Sequence, residues 1–416
     1  MKVNINSEIG ELQAVIIHHP GSEIENMTPQ NAERALYSDI LNLTVATKEY
    51  CEFEGVLRKY TNVYEVKDLL VEAIQSDNIK KELAYKVCTN EHADHVYDDL
   101  MELDNYAFAT AMIEGVEMKK DNLTNFLSQE RYSLRSLHNF FFMRDASISM
   151  YNNVLISKMA NTVRAREAKI METIFDHSHT VSAKTINPIN YRDYDPELTI
   201  EGGDVLIARE DVIFIGLGTR SNTKAVDFLI ERFKESKTTM NIVVQELPYK
   251  PESFIHLDMV FTFLDADKCM IYEPLIARHS KYQTVHIQIA NGKVNFIRYR
   301  NNFMEALAVL NFNLKPITCG LPDDLWIQQR EQWHSGANFF ALGPGKVMGY
   351  ARNSYTIEEL NKNGFEVIKA KDILKGRKEM KDYKSFVVTL DGSELPRGGG
   401  GARCMTMPVW RDAINW

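Results

Sequence analysis

From about Leu70 to Leu137 the apolar residues recur three and four positions apart, in DLLVEAIQSDNIKKELAYKV and DDLMELDNYAFATAMIEGVEM. That spacing lines one face of a helix. It predicts a unit of four or five helices over 71–137. On either side the texture changes. Short runs rich in β-branched and aromatic residues recur, among them LQAVIIHH, NVYEV, ISMYNNVLISKM, DVLIAREDVIFIGL, MVFTFLD, NFFALGPGKVMGY and SFVVTL. These read as strands. Helical runs fall between them: TVATKEYCEFEGVLRKY, TKAVDFLIERFKES, FMEALAVLNF and SYTIEELNKNGF. The pattern predicts a mixed α/β unit of repeated strand–strand–helix elements over 1–70 and 138–416, with the helices of 71–137 inserted into it. Punctuation agrees: no proline lies between Pro29 and Pro188, and Gly115 is the only glycine between Gly55 and Gly202.

Composition narrows the class. The 416 residues are 44% apolar and 25% charged, an ordinary globular balance. No apolar run is long enough for a transmembrane helix, and MKVNINSEIGELQAVII lacks the long apolar core of a signal peptide. The five cysteines (Cys51, Cys88, Cys269, Cys319, Cys404) are odd in number and include no CxxC pair. That speaks against a disulfide framework and a structural zinc site, and predicts a reducing, cytoplasmic home. The net charge is −9 and no basic cluster stands out, so nucleic acid is not an expected partner. The acidic excess fits a cationic small substrate as well as plain solubility.

Four polar clusters interrupt the strand-like sequence. They are NFFFMRD (Asn139, Phe142, Arg144, Asp145), IEGGD (Glu201, Asp204), FIHLDMVFTF (His256, Asp258) and RGGGGARCMTMP, which ends in Cys404 and the residues after it. Glycine runs survive in folded chains where backbone must approach something closely or take φ > 0. Cys404 is thus either a small buried hydrophobe after a flexible loop or a nucleophile held against a substrate. In a strand, His256 and Asp258 would share one face. A structural His–Asp pair, a turn at Glu201 and a surface pair at Arg144–Asp145 explain each cluster singly. Taken together, one cysteine, one histidine and several carboxylates are the inventory of a thiol nucleophile, its acid/base partner and a cation pocket. A metal site would show tighter ligand spacing, and a serine hydrolase would show GxSxG.

The ordered set NFFFMRD, IEGGD, HLDMVF and RGGGGARCMTMP resembles the arginine deiminase family of guanidino-group-modifying enzymes. The opening SEIGELQAVIIHHPGSEIENMTPQN, YSDIL and EVKDLL are similar too, so the resemblance spans the chain. It implies a five-bladed pseudo-symmetric ββαβ propeller, the pentein fold, with an inserted helical bundle. It also implies hydrolysis of L-arginine to L-citrulline and ammonia without cofactor or metal, through an S-alkylthiouronium on Cys404. By motif position Asp145 and Asp258 grip the guanidinium, and His256 is acid and base, held by Glu201. Arg164 of VRARE and Arg220 of GLGTRS take the substrate carboxylate. Asn139, Phe142, Asp204, Leu41 and Arg397 complete the substrate-binding set. The glycine run and the segment from Ser38 to Leu41 are candidate gates. A homodimer or homotetramer is implied. Met143, Ala146 and Gly399 depart from the family pattern, where threonine, proline and, in some members, arginine stand. Alternatives are a sibling hydrolase or amidinotransferase (methylarginine, citrulline or agmatine as substrate) and a non-catalytic arginine-binding protein.

Overall fold

The computed structural model describes residues 1–414 and 416. One arrangement recurs in five sheets: two antiparallel strands, a helix, then a strand parallel to the second. Parallel neighbours need such a crossover, because a tight turn cannot join them. Ser147–Met150 and Asn153–Ile156 form a hairpin, and Lys184–Ile186 returns parallel after the helix Ala165–His177. Val205–Arg209, Val212–Leu217 and Met240–Glu246 repeat this around the helix Thr223–Ser236, and a second hairpin, Thr284–Ala290 with Lys293–Arg300, extends that sheet. Phe261–Asp265 pairs antiparallel with Lys268–Ile271, which pairs in parallel with Lys315–Thr318. Phe340–Gly343 pairs with Lys346–Tyr350, which pairs in parallel with Phe386–Leu390, and Glu366–Lys369 forms the edge beyond it. The last sheet joins distant sequence: Met407–Arg411 runs antiparallel to Leu12–Ile17, and Asn62–Glu65 lies parallel on its other side.

The helices form where period and cap coincide. In Leu43–Tyr60 the buried Ala46, Tyr50, Phe53, Val56 and Leu57 share one face, and the Asn42 side chain accepts from Val45 N–H. Thr223–Ser236 is capped in the same way by Asn222, which accepts from Ala225 N–H. Five α-helices, Val66–Ala73, Asp77–Glu91, Tyr97–Glu102, Asn105–Glu114 and Leu123–Leu127, occupy the stretch where the period is helical. Leu83, Val87, Phe108 and Met112 from this stretch belong to the same buried cluster as Ile148, Ile170, Ile174 and Ile200. No described helix is long and apolar enough to cross a membrane.

Two details differ from the sequence reading. FIHLDMVFTF is not one strand. His256 is extended, Leu257–Met259 is a single 3-10 turn, and the strand begins at Phe261. The cause is local: the Asp204 carboxylate accepts from Leu257 N–H at 3.0 Å and anchors the turn. His256 and Asp258 therefore do not share a face through strand alternation. The helices Ala165–His177 and Leu325–Gln332 also went unread in the apolar pattern.

These turns share a position. Met143–Ala146, Gly202–Asp204 and Leu257–Met259 each stand just before the first strand of a unit, and the Cys404 segment stands before Met407–Arg411. Asn338 holds the corresponding place before Phe340–Gly343. Each unit thus delivers polar residues from the same end of its leading strand.

Candidate active site

Cys404 is 4% exposed. Its Sγ lies 3.8 Å from Asp258 Oδ2 and 4.0 Å from Met259 Sδ. The chain holds the thiol from two sides. Cys404 C=O accepts from Arg144 N–H at 3.1 Å. Asn338 donates to Asp258 C=O at 3.0 Å and accepts from Arg403 N–H at 2.9 Å, tying the nucleophile's segment to the Asp258 turn.

His256 Nε2 pairs with Glu201 Oε2 at 3.1 Å, and its Nδ1 lies 3.7 Å from Asp145 Oδ1. Glu201 accepts from Ala160 N–H at 3.0 Å and has Arg220 Nη1 at 3.8 Å. Asp145 accepts from Gly203 N–H at 3.2 Å and from Arg164 Nη1 at 2.6 Å. Arg164 is fixed in turn by Glu167, with Nη2–Oε2 at 2.7 Å, and donates to Phe142 C=O at 2.9 Å. Arg403 is 2% exposed. It reaches Asp258 Oδ2 at 2.8 Å and holds both Glu8 oxygens, at 3.0 and 3.1 Å. Asp258 Oδ1 is buried and has no hydrogen-bond partner among the described residues.

A cavity of about 50 Å³ is lined by Leu36, Ser38, Asn139, Phe142, Asp145, Arg164, Arg220, His256, Gly398, Gly399, Gly400 and Cys404, among others. The glycines earn their place by sterics. A Cβ on Gly400 would stand 2.5 Å from the Phe142 ring, and one on Gly203 would stand 2.5 Å from His256 Nδ1. Gly399 has φ of 89°, a left-handed conformation that L side chains rarely adopt.

The charges are strongly coupled. Burial opposes protonation of His256, but Asp145, Asp204 and Glu201 outweigh it and push its pKa up to about 9. Burial would raise Asp145 and Glu201. Cations reverse this, His256 and Arg164 for Asp145, His256 and Arg220 for Glu201, and hold both below the ordinary range. Asp258 is pushed up by burial, which Arg403 and His256 only partly offset. Burial, then Asp258 and Asp145, push the Cys404 thiol well above its ordinary range. Asp145, Glu201 and His256 offer ligand atoms within 4.8 Å of one another. Asp145 Oδ2 is already paired with Arg164 and Glu201 Oε2 with His256, however, so the protein's own side chains engage these ligand atoms.

Sequence reasoning named most of this cavity. Asp145, His256, Cys404, Asn139, Phe142, Arg164 and Arg220 line it. Glu201 and Asp258 touch its members from behind. Three candidates lie elsewhere. Leu41 is buried in an apolar cluster with Tyr50 and Phe53. Asp204 is buried against the Leu257 turn. Arg397 is 39% exposed, pairs with Asp39 and Glu394, and lines an outer hollow. Arg403, Glu8, Glu167 and Asn338 went unread. Two of these had a signal: Arg403 adjoins Cys404, and Glu167 stands at helical i+3 from Arg164.

The fold is that of the guanidino-modifying, pentein enzymes. An amidinotransferase of Microseira wollei from the saxitoxin pathway superposes with a TM-score of 0.54 at 15% identity, covering 99% of this chain and 98% of that one. The N-terminal domain of ArgZ, solved with a covalently bound reaction intermediate, gives 0.53 at 12% identity over 96% and 98%. A sequence model described as arginine deiminase matches residues 33–411. The arginine deiminase of Mycoplasma capricolum subsp. capricolum is 31% identical over 100% of this chain and 98% of its own. That of Bacillus thuringiensis subsp. konkukian is 33% identical over 99% of each. The chain belongs to the arginine deiminase family.

Proposed function

We propose that the protein hydrolyses L-arginine to L-citrulline and ammonia, with Cys404 as nucleophile. The observation that carries this is the gathering in one site of two buried carboxylates, Asp145 and Asp258, a buried thiol and a glutamate-bound histidine. A guanidinium is a planar cation and a poor electrophile. Two carboxylates accepting its N–H groups orient it and keep it charged. Asp258 Oδ1 has a free acceptor for this purpose. Asp145 Oδ2 is held by Arg164, so the incoming guanidinium takes that place and frees Arg164 Nη1 for the substrate carboxylate, with Arg220. The cavity of about 50 Å³ is too small for an amino acid. Binding therefore moves side chains or the Gly398–Gly400 loop.

The same cation ionises the thiol, whose proton leaves to solvent as the substrate binds. With the charges of Asp145 and Asp258 cancelled, the main electrostatic opposition to a thiolate is gone. The thiolate adds to the central carbon. His256, protonated at ordinary pH, gives its proton to the departing amine, and ammonia leaves an S-alkylthiouronium. Neutral His256 then takes a proton from water, which attacks the same carbon and releases citrulline and the free cysteine. Glu201 orients the ring through both halves. The scaffold for this is a catalytic unit of 1–70 and 138–416, its five sheets acting as blades of a propeller, with 71–137 inserted as a helical domain. The test is incubation with L-arginine beside Cys404→Ala. Equimolar citrulline and ammonia, lost in the variant, support the assignment. Bound arginine without product overturns it.

A further inference from the structure

A cleft of about 580 Å³ lies apart from the active-site cavity, with which it shares no lining residue. It forms where the end of the helix Leu43–Tyr60 meets the short helix Ala370–Leu374 and the first residues of the strands Lys346–Tyr350 and Phe386–Leu390. Its floor is apolar. Phe386 is fully buried and Ile373 is 2% exposed. The Tyr60 and Tyr383 rings and the Met380 thioether line it too. A space of this volume is typical of small-molecule sites. A floor of rings and thioether suits a flat aromatic body.

The rim is cationic. Lys59, Lys346, Lys378 and Lys381 line the cleft against Glu11 and Glu379, four positive charges to two negative, in a chain whose net charge is −9. Both glutamates are engaged. Lys346 Nζ donates to the two Glu11 oxygens at 3.0 and 3.1 Å, and Lys381 pairs with Glu379. Lys378 reaches outward to Glu366 at 3.3 Å. Lys59 differs from the other three. Its Nζ donates to Ile373 C=O at 2.8 Å, a neutral acceptor, and it pairs with no carboxylate among the described residues. An ammonium has three donors, so this one keeps both capacity and charge for an anion.

We propose that this cleft binds an aromatic organic anion, its ring on the floor between Tyr60 and Tyr383 and its charged group, phosphate or carboxylate, on Lys59. An inorganic anion would leave the apolar floor uncovered, and a neutral aromatic would leave Lys59 without a partner. The helix that ends in Lys59 and Tyr60 also carries Glu49, whose carboxylate accepts from the N–H groups of Ser393, Glu394 and Leu395, just before the Gly398–Gly400 loop. The cleft and the candidate gate are thus fastened to one helix.

The probe is 8-anilinonaphthalene-1-sulfonate, an aromatic monoanion that fluoresces in apolar surroundings. N-phenyl-1-naphthylamine carries the same rings without the charge. A saturable rise in fluorescence is expected with the sulfonate. Lys59→Gln should weaken its binding about fivefold at low ionic strength and leave that of the neutral probe unchanged. Met380→Trp, which fills the cleft, should abolish binding of both, with the fold of each variant checked by circular dichroism. AMP and phenylpyruvate then compete for the bound sulfonate: displacement by the first marks a phosphate-bearing ligand, and by the second a carboxylate-bearing one. Absence of saturable binding overturns the proposal, as does binding that survives both substitutions or that neither competitor displaces. If Met380→Trp does not fold, Lys59→Gln decides, and an unchanged affinity for the sulfonate refutes the site.

Discussion

Asp258 should suppress the reactivity of the nucleophile it serves. Its Oδ2 lies 3.8 Å from Cys404 Sγ. At an effective dielectric of about 20, a unit charge at that distance opposes a thiolate by about 4 kcal/mol, or about three pKa units. Charge is shared over two carboxylate oxygens and neighbours relax, so about two units is the working figure. Asp258→Asn removes the charge and keeps the shape, and it leaves Arg403 cationic beside the sulfur. The thiolate fraction at neutral pH should rise about a hundredfold. A less basic thiolate is also a weaker nucleophile, so alkylation by a neutral reagent should quicken about tenfold. The assay is iodoacetamide labelling of Cys404 followed by mass spectrometry from pH 6 to 10. It is run in a Cys51→Ser background because Cys51 is the exposed thiol. The variant should label faster, with its profile moved to lower pH, while arginine turnover is lost. An unmoved profile in a folded variant would refute the electrostatic account and mean that Asp258 carries no charge in the resting site.

Three further outcomes are expected. Glu65→Gln removes one of the two carboxylates holding His18, whose pKa is raised to about 9 against the opposing effect of burial. A raised histidine stabilises fully below its unfolded value near 6.5, and that contribution is lost as pH rises through about 9. Urea unfolding should therefore show a deficit of about 2 kcal/mol at pH 6 that closes by about pH 10; a constant gap would exclude His18 as the cause. Gly203→Ala pushes a methyl against the His256 ring, so kcat should fall by about a hundredfold with the fold retained by circular dichroism; normal turnover would mean that the ring has room to move. Arg403→Lys cannot span Glu8 and Asp258 together, and unfolding should cost about 3 kcal/mol less than for the wild type.

The sequence pattern made the helical stretch and most strands legible because each has its own period. It could not place His256 and Asp258. Alternation put them on one strand face, whereas a hydrogen bond from Leu257 N–H to Asp204, 53 positions away, makes a turn. The chemical residues were legible as polar interruptions of apolar runs. Their supporters were not. Glu8 and Arg403 are 395 positions apart and look like ordinary surface charges until the chain folds. Leu41 followed the family motif, but its side chain packs inward, and Leu36 and Ser38 face the cavity instead.

The sheet formed by Leu12–Ile17 and Met407–Arg411 bears on how the protein is born. On the ribosome, residues 12–17 emerge long before their antiparallel partner at 407–411. For all of that interval one edge of that apolar strand stays open, an invitation to wrong pairing that a chaperone would have to shield. The same delay keeps the nascent chain harmless. Cys404 precedes the closing strand by only a few residues, so a truncated product has no organised thiol, and catalysis begins only when the two ends of the fold clasp.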